Sequence, residues 1–155
     1  MRIARIVYEF PPPWLGLTPG PYEITFAQEK LGYEINLYCG KSTLDPIYNS
    51  EFSNLSIIRC GKAIPIIGPF FTTSLLVFYY VIKNKVFINN DIVHGHGHMP
   101  IWIHFILLFY PKWRKKYVLH LHITALGRWK NSKSKLSFRD LIDRLIIWPL
   151  HYISD

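Results

Sequence analysis

The chain has 155 residues, half of them hydrophobic and 16% aromatic, with a formal net charge of +8. That is enough for one domain with a core of its own, and the basic balance points to an anionic partner: a membrane surface, a phosphorylated substrate or a nucleic acid. The two cysteines, Cys39 and Cys60, show no CxxC or Cys/His finger spacing, which excludes a zinc-finger reading and fits free, partly buried thiols in a reducing compartment; no nucleic-acid-binding motif accompanies the charge, so nucleic acid is not an expected partner.

Arg2 to Phe10 reads as a β-strand, because Ile3, Ile6, Val7, Tyr8 and Phe10 make the near-continuous apolar run of a strand covered on both faces. The run is too short for a signal peptide. Pro11-Pro12-Pro13 ends it and a loop follows. Tyr22 to Leu31 is a short helix with Pro21 near its first position and Gly32 closing it. Glu34 to Cys39 is a second strand, 41 to 54 a turn-rich loop, and Leu55 to Cys60 a third strand.

Ala63 to Ile82 is uncharged for twenty residues, long enough to span a bilayer. Pro65, Gly68 and Pro69 interrupt its first third, however, and Thr72-Thr73-Ser74 read as a helix start. The expectation is therefore a buried or membrane-surface helix from Thr72 to Lys85, not a span. A fourth strand begins at Ile92, and Pro100 to Tyr110 is a very apolar helix. Tyr117 to Ile123 is a fifth strand, 127 to 135 a basic loop, and Leu136 to His151 a last helix. Apolar strands alternating with helices predict an α/β domain with a parallel sheet and helices on both faces. The chain stops on a helix where a βαβ unit would next supply a strand, which suggests a piece of something longer.

Chemistry concentrates in Asp91 to Pro100, DIVHGHGHMP. Here a hydrophobic strand releases His94, His96 and His98 at alternate positions, separated by Gly95 and Gly97. The C-terminal end of such a strand is where an open α/β sheet places its ligand. A strand running on through His98 would put three imidazoles on one face and suit a metal; a strand ending near His94 would leave them in a loop at a cleft mouth. Any one of them also reads as an ordinary, satisfied strand histidine.

Taken in order, these segments resemble the N-terminal domain of family-4-like retaining glycosyltransferases of the GT-B fold. Phe10-Pro11-Pro12 is similar to that family's proline pair after the first strand, and Gly16 falls where its second loop glycine is expected, sixteen residues before Gly32. Gly32-Tyr33-Glu34-Ile35 resembles the entry to the second strand. Asp91-Ile92-Val93-His94-Gly95-His96 resembles the Asp-Val-Val-His-x-His segment. His122 matches the histidine ending the next strand, with Thr124 just after it. Leu15 departs from the pattern by replacing the first loop glycine, and Tyr33 replaces the usual histidine.

The resemblance implies a Rossmann-like sheet of strand order 3-2-1-4-5 forming the N-terminal half of a GT-B enzyme. Residues 1–155 would be its acceptor-side domain, incomplete at the C-terminus, with the donor-binding domain absent. It implies transfer of a sugar from a nucleotide-sugar donor to a glycan or lipid-linked acceptor, without a metal or other cofactor, and an inactive fragment. On the same ground His122 is the expected catalytic residue and Gly16, His96 and Thr124 the expected substrate-binding ones, while His94 and His120 read as structural. Two other readings stay open: a metal-dependent hydrolase built on the HxHxH string, and a non-catalytic, membrane-associated binding module. The hydrolase lacks a downstream carboxylate ligand, since none follows Asp91 until Asp140.

Lys112 to Arg139 holds nine Lys or Arg and no acid. Lys112, Arg114, Lys115 and Lys116 follow an apolar helix, and Trp113 and Trp129 stand among the cations. Such a mixture suits an anionic lipid interface and equally suits a solvated basic surface. The expected location is the cytoplasm, peripherally on the inner face of the membrane.

Overall fold

The computed structural model describes residues 1–8, 10, 20–40, 52–61, 69–97 and 99–120, the side chains of 69–71 apart. Strands β1 (Arg2–Ile6), β2 (Glu34–Cys39), β3 (Leu55–Arg59), β4 (Ile92–His96) and β5 (Tyr117–His120) form one all-parallel sheet in the order β3-β2-β1-β4-β5. The fold is Rossmann-like α/β, and its strand order is the expected one. Helices α1 (Gly20–Lys30), α2 (Pro69–Lys83), α3 (Val86–Asn89), α4 (Ile101–Phe109) and α5 (Pro111–Arg114) connect the strands. The last expected helix, 136–151, lies outside the described residues.

Strand periodicity divides the side chains between two faces. Ala4, Ile6, Tyr38 and Val93 pack on one face against Val77 and Val81 of α2, Val86 and Phe87 of α3, and Ile103 and Leu107 of α4. On the other face Leu37 and Cys39 pack with Val7, Phe10 and Tyr22 of α1. Helices thus cover both faces, as a parallel sheet requires. Both cysteines are buried and neither is in a disulfide. Burial, reinforced by Cys39 nearby, pushes the Cys60 thiol up to about 12, so it stays protonated and inert at neutral pH.

Element ends follow local chemistry. Gly32 closes α1 at φ 80, with its N–H donating to Glu29 O at 2.8 Å and the Tyr33 N–H donating to Gln28 O at 3.2 Å. These are the paired bonds of a Schellman turn, which favours glycine at that residue. The start expected for α2 is corrected: the helix begins at Pro69, not Thr72, because proline's missing N–H is an orphan at a first helical position anyway. Thr72, Thr73 and Ser74 are buried within that helix. It stops at Lys83, and Lys85 in the left-handed region (φ 49) turns the chain into α3, an element that the hydrophobic pattern alone does not separate. Among the described residues no helix is long and apolar enough to cross a membrane.

Candidate functional site

In strand order 3-2-1-4-5 the chain winds outward one way from β1 and the other way from β4. The two strands meet at the topological switch point, whose carboxyl-end crevice is the ligand position of open α/β sheets. The register pairs Arg5 with His94 across β1 and β4, and His96 with His120 across β4 and β5. Paired positions of a parallel ladder share a face, so Arg5, His94, His96 and His120 all stand on the α1 side of the sheet.

There the three imidazoles form one cluster. Ring centroids are 4.3 Å apart for His94–His96, 5.2 Å for His96–His120 and 6.0 Å for His94–His120. One ring nitrogen from each lies within 4.8 Å of the others. His96 is buried, and His94 and His120 are half-buried. No Asp or Glu belongs to the cluster among the described residues.

Beside the cluster lies a buried cation. Arg5 is fully buried; its guanidinium donates to Thr25 Oγ1 and Gln28 Oε1 of α1, and approaches Pro21 O and His94 Nδ1, each at 3.5 Å. Burial lowers its pKa to about 10, which leaves it charged at neutral pH. A guanidinium can only donate, so Nδ1 is the acceptor in the contact with His94. Neutral oxygens accept from its two terminal nitrogens while the buried Nε has no hydrogen-bond partner, and among the described residues no carboxylate in the cluster compensates its charge.

Strand β4 ends between the two positions foreseen from sequence. It runs through His96, and Gly97 then turns the chain at φ 61 while its N–H donates to His120 O at 2.8 Å. Two of the string's histidines therefore share a face. Gly95 between them points to the opposite face, where an added Cβ would lie 2.7 Å from both Pro100 Cγ and Tyr117 Oη. Its role is close packing rather than approach to a ligand. Tyr117 Oη is itself within 3.0 Å of His104 Nε2, and burial raises the tyrosine pKa well above its ordinary value. Asp91 is also structural: its carboxylate accepts from the Arg2 N–H at 2.8 Å and ties β4 to β1.

Of the residues singled out from sequence, His96 lies in the cluster. Gly16, His98, His122 and Thr124 lie outside the described residues. His94 and His120, read from sequence as structural, are brought into the same cluster as His96; the signal for His120 was the second HxH spacing, in LHLH of the fifth strand. The four cations separate into two pairs. Lys112 and Lys115 are exposed. Arg114 Nε donates to Leu107 O at 2.7 Å at the end of α4, and Lys116 Nζ donates to Phe87 O and Asn90 O at 3.1 and 3.0 Å at the end of α3. Those two hold helix C-termini, where cations and carbonyl acceptors are well matched. Of the four cations expected at a basic surface, only Lys112 and Lys115 are exposed. Trp113 is stacked between Phe87 and Tyr110, with centroids 4.9 and 4.7 Å away, so its ring serves packing.

A polar groove of about 540 Å³ lies at the opposite end of the strands, lined by residues including Arg2, Glu34, Asn36 and Ser56. Its strand residues Asn36 and Ser56 are on the opposite face of the sheet from the histidine cluster, and it contains no histidine. No family model matches the chain, and no curated protein matches it.

Proposed function

We propose that this domain is the acceptor-side half of a GT-B-type glycosyltransferase, acting with a donor-binding domain to move a sugar from a nucleotide-sugar to a glycan or lipid-linked acceptor. The observation that carries the reading is the histidine cluster at the carboxyl ends of β4 and β5, beside β1, in a sheet of order 3-2-1-4-5. Neutral imidazoles there can donate to or accept from sugar hydroxyls. In this reading His96 lines the acceptor cleft, and the family resemblance adds Gly16, His122 and Thr124 to it. His122 is the candidate catalytic group, placed by family resemblance.

The lipid side of the proposal draws support from the outer faces of α2 and α4. Leu75, Tyr79 and Ile82 are exposed on one, and Phe105, Leu108 and Phe109 on the other, where Phe109 is 78% exposed. Lys83 at the end of α2, Lys112 in α5 and Lys115 just after it are exposed as well. Apolar side chains with cations around them suit a cytoplasmic, peripheral place on an anionic leaflet. Vesicles rich in anionic lipid and carrying polyprenyl phosphate should bind the protein without nucleotide and release it in high salt. Lys112→Ser with Lys115→Ser should weaken binding roughly thirtyfold, at about 1 kcal/mol per cation near the surface. Arg114 and Lys116 are left in place because they hold helix ends. Equal binding to neutral and anionic vesicles would refute the membrane part of the proposal.

A further inference from the structure

Three neutral imidazoles on adjacent strands are a known donor set for zinc with an open fourth position. In a tetrahedral site each ring centroid lies roughly 3.2 Å from the ion, which places the centroids roughly 5.2 Å apart. The cluster has 4.3, 5.2 and 6.0 Å, values that bracket this spacing. The ligand nitrogens, within 4.8 Å of one another, need to close to roughly 3.3 Å. Rotation about χ2, a broad torsion for histidine, supplies movement of that kind without moving the backbone and takes the His94 ring off its long 3.5 Å contact with Arg5, so that its lone-pair nitrogen is open to the metal. The strands themselves are fixed by the ladder from Val93–Tyr117 to His96–His120 and by the Gly97 N–H on His120 O.

We propose that His94, His96 and His120 form a binding site for one divalent transition-metal ion of the zinc class, whose fourth position takes an anion. The anion follows from charge. Three neutral imidazoles leave the ion's two charges intact, Arg5 adds a third beside His94, and among the described residues the cluster contains no carboxylate. An anionic fourth ligand, such as hydroxide or a phosphoryl oxygen, relieves that excess where neutral water does not. The site shares His96 with the transferase reading but does not rest on it, because that chemistry needs no metal.

The test uses the untagged 155-residue chain, because a polyhistidine tag would bind the same ions. Equilibrium dialysis against Zn²⁺ and Co²⁺ should give one ion per chain. The Co²⁺ form should show the intense visible absorption of a four-coordinate site, and azide should shift those bands. His96→Asn and His120→Asn, checked for folding by circular dichroism, should each lower affinity at least a hundredfold. His104→Asn, a histidine outside the cluster, should leave it unchanged. No binding by the folded wild-type chain at tens of micromolar metal would overturn the site, and so would binding that survives His96→Asn and His120→Asn. A weak, six-coordinate Co²⁺ spectrum, or one indifferent to azide, would overturn the open tetrahedral position and its anion.

Discussion

Glu29→Ala is expected to destabilise the domain by about 2–4 kcal/mol, read as a lower urea midpoint with little change in slope. Glu29 is on α1 and only 8% exposed. Its Oε1 accepts from the backbone N–H of Ser53 at 2.6 Å and of Asn54 at 2.8 Å, just where the chain enters β3. Alanine would strand two backbone donors that a charged acceptor now satisfies, and hydrogen bonds to charged groups are worth more than neutral ones. Glu29→Gln keeps one acceptor oxygen and should cost about 1 kcal/mol. A loss below about 0.5 kcal/mol for the alanine variant would show that water replaces the carboxylate and that α1 does not anchor β3 in this way.

Gly95→Ala is expected to cost about 1–3 kcal/mol by overpacking. The added methyl meets the Pro100 ring and Tyr117 Oη at 2.7 Å. Neither is the free end of a flexible side chain: Pro100 caps the start of α4, and Tyr117 Oη is engaged with His104. Gly97→Asn is the comparison. An added Cβ at Gly97 meets nothing within 4 Å, and asparagine tolerates its positive φ, so thermal unfolding should shift less than for Gly95→Ala. The reverse order would mean that turn strain rather than packing fixes the end of β4. Because Gly95 seats β4 against α4, the same substitution should also disturb the spacing of His94 and His96 on the other face.

The parts of this fold with strong local signals were legible in the sequence. Glu34–Cys39 is bounded as its apolar run predicts, since Gly32 ends α1 before it. The parallel α/β class followed from alternating apolar strands and helices. Boundaries set by tertiary packing were less legible. Thr72 and Thr73 mimic an N-cap, yet they are buried inside α2 because Pro69 can open a helix. The histidine cluster was half visible. Spacing of two put His94 and His96 on one face, but only the β4–β5 register reveals that His120 joins them. Arg5 gave no sequence signal at all: its place beside the cluster depends on Thr25 and Gln28 arriving from α1. The cations after α4 looked alike in sequence, and only the carbonyls of Leu107, Phe87 and Asn90 separate Arg114 and Lys116 from Lys112 and Lys115.

The most direct test of the proposed function is sugar transfer from a panel of radiolabelled nucleotide-sugars into lipid and glycan acceptors. It should be run with the 155-residue chain alone, with the same chain supplied with the donor-binding domain that the proposal calls for, and with that pair carrying His122→Ala. The account predicts no transfer by the chain alone, transfer from one class of nucleotide-sugar by the pair, and its loss on replacing His122. Transfer by the 155 residues alone, or none from any donor by the pair, would contradict it.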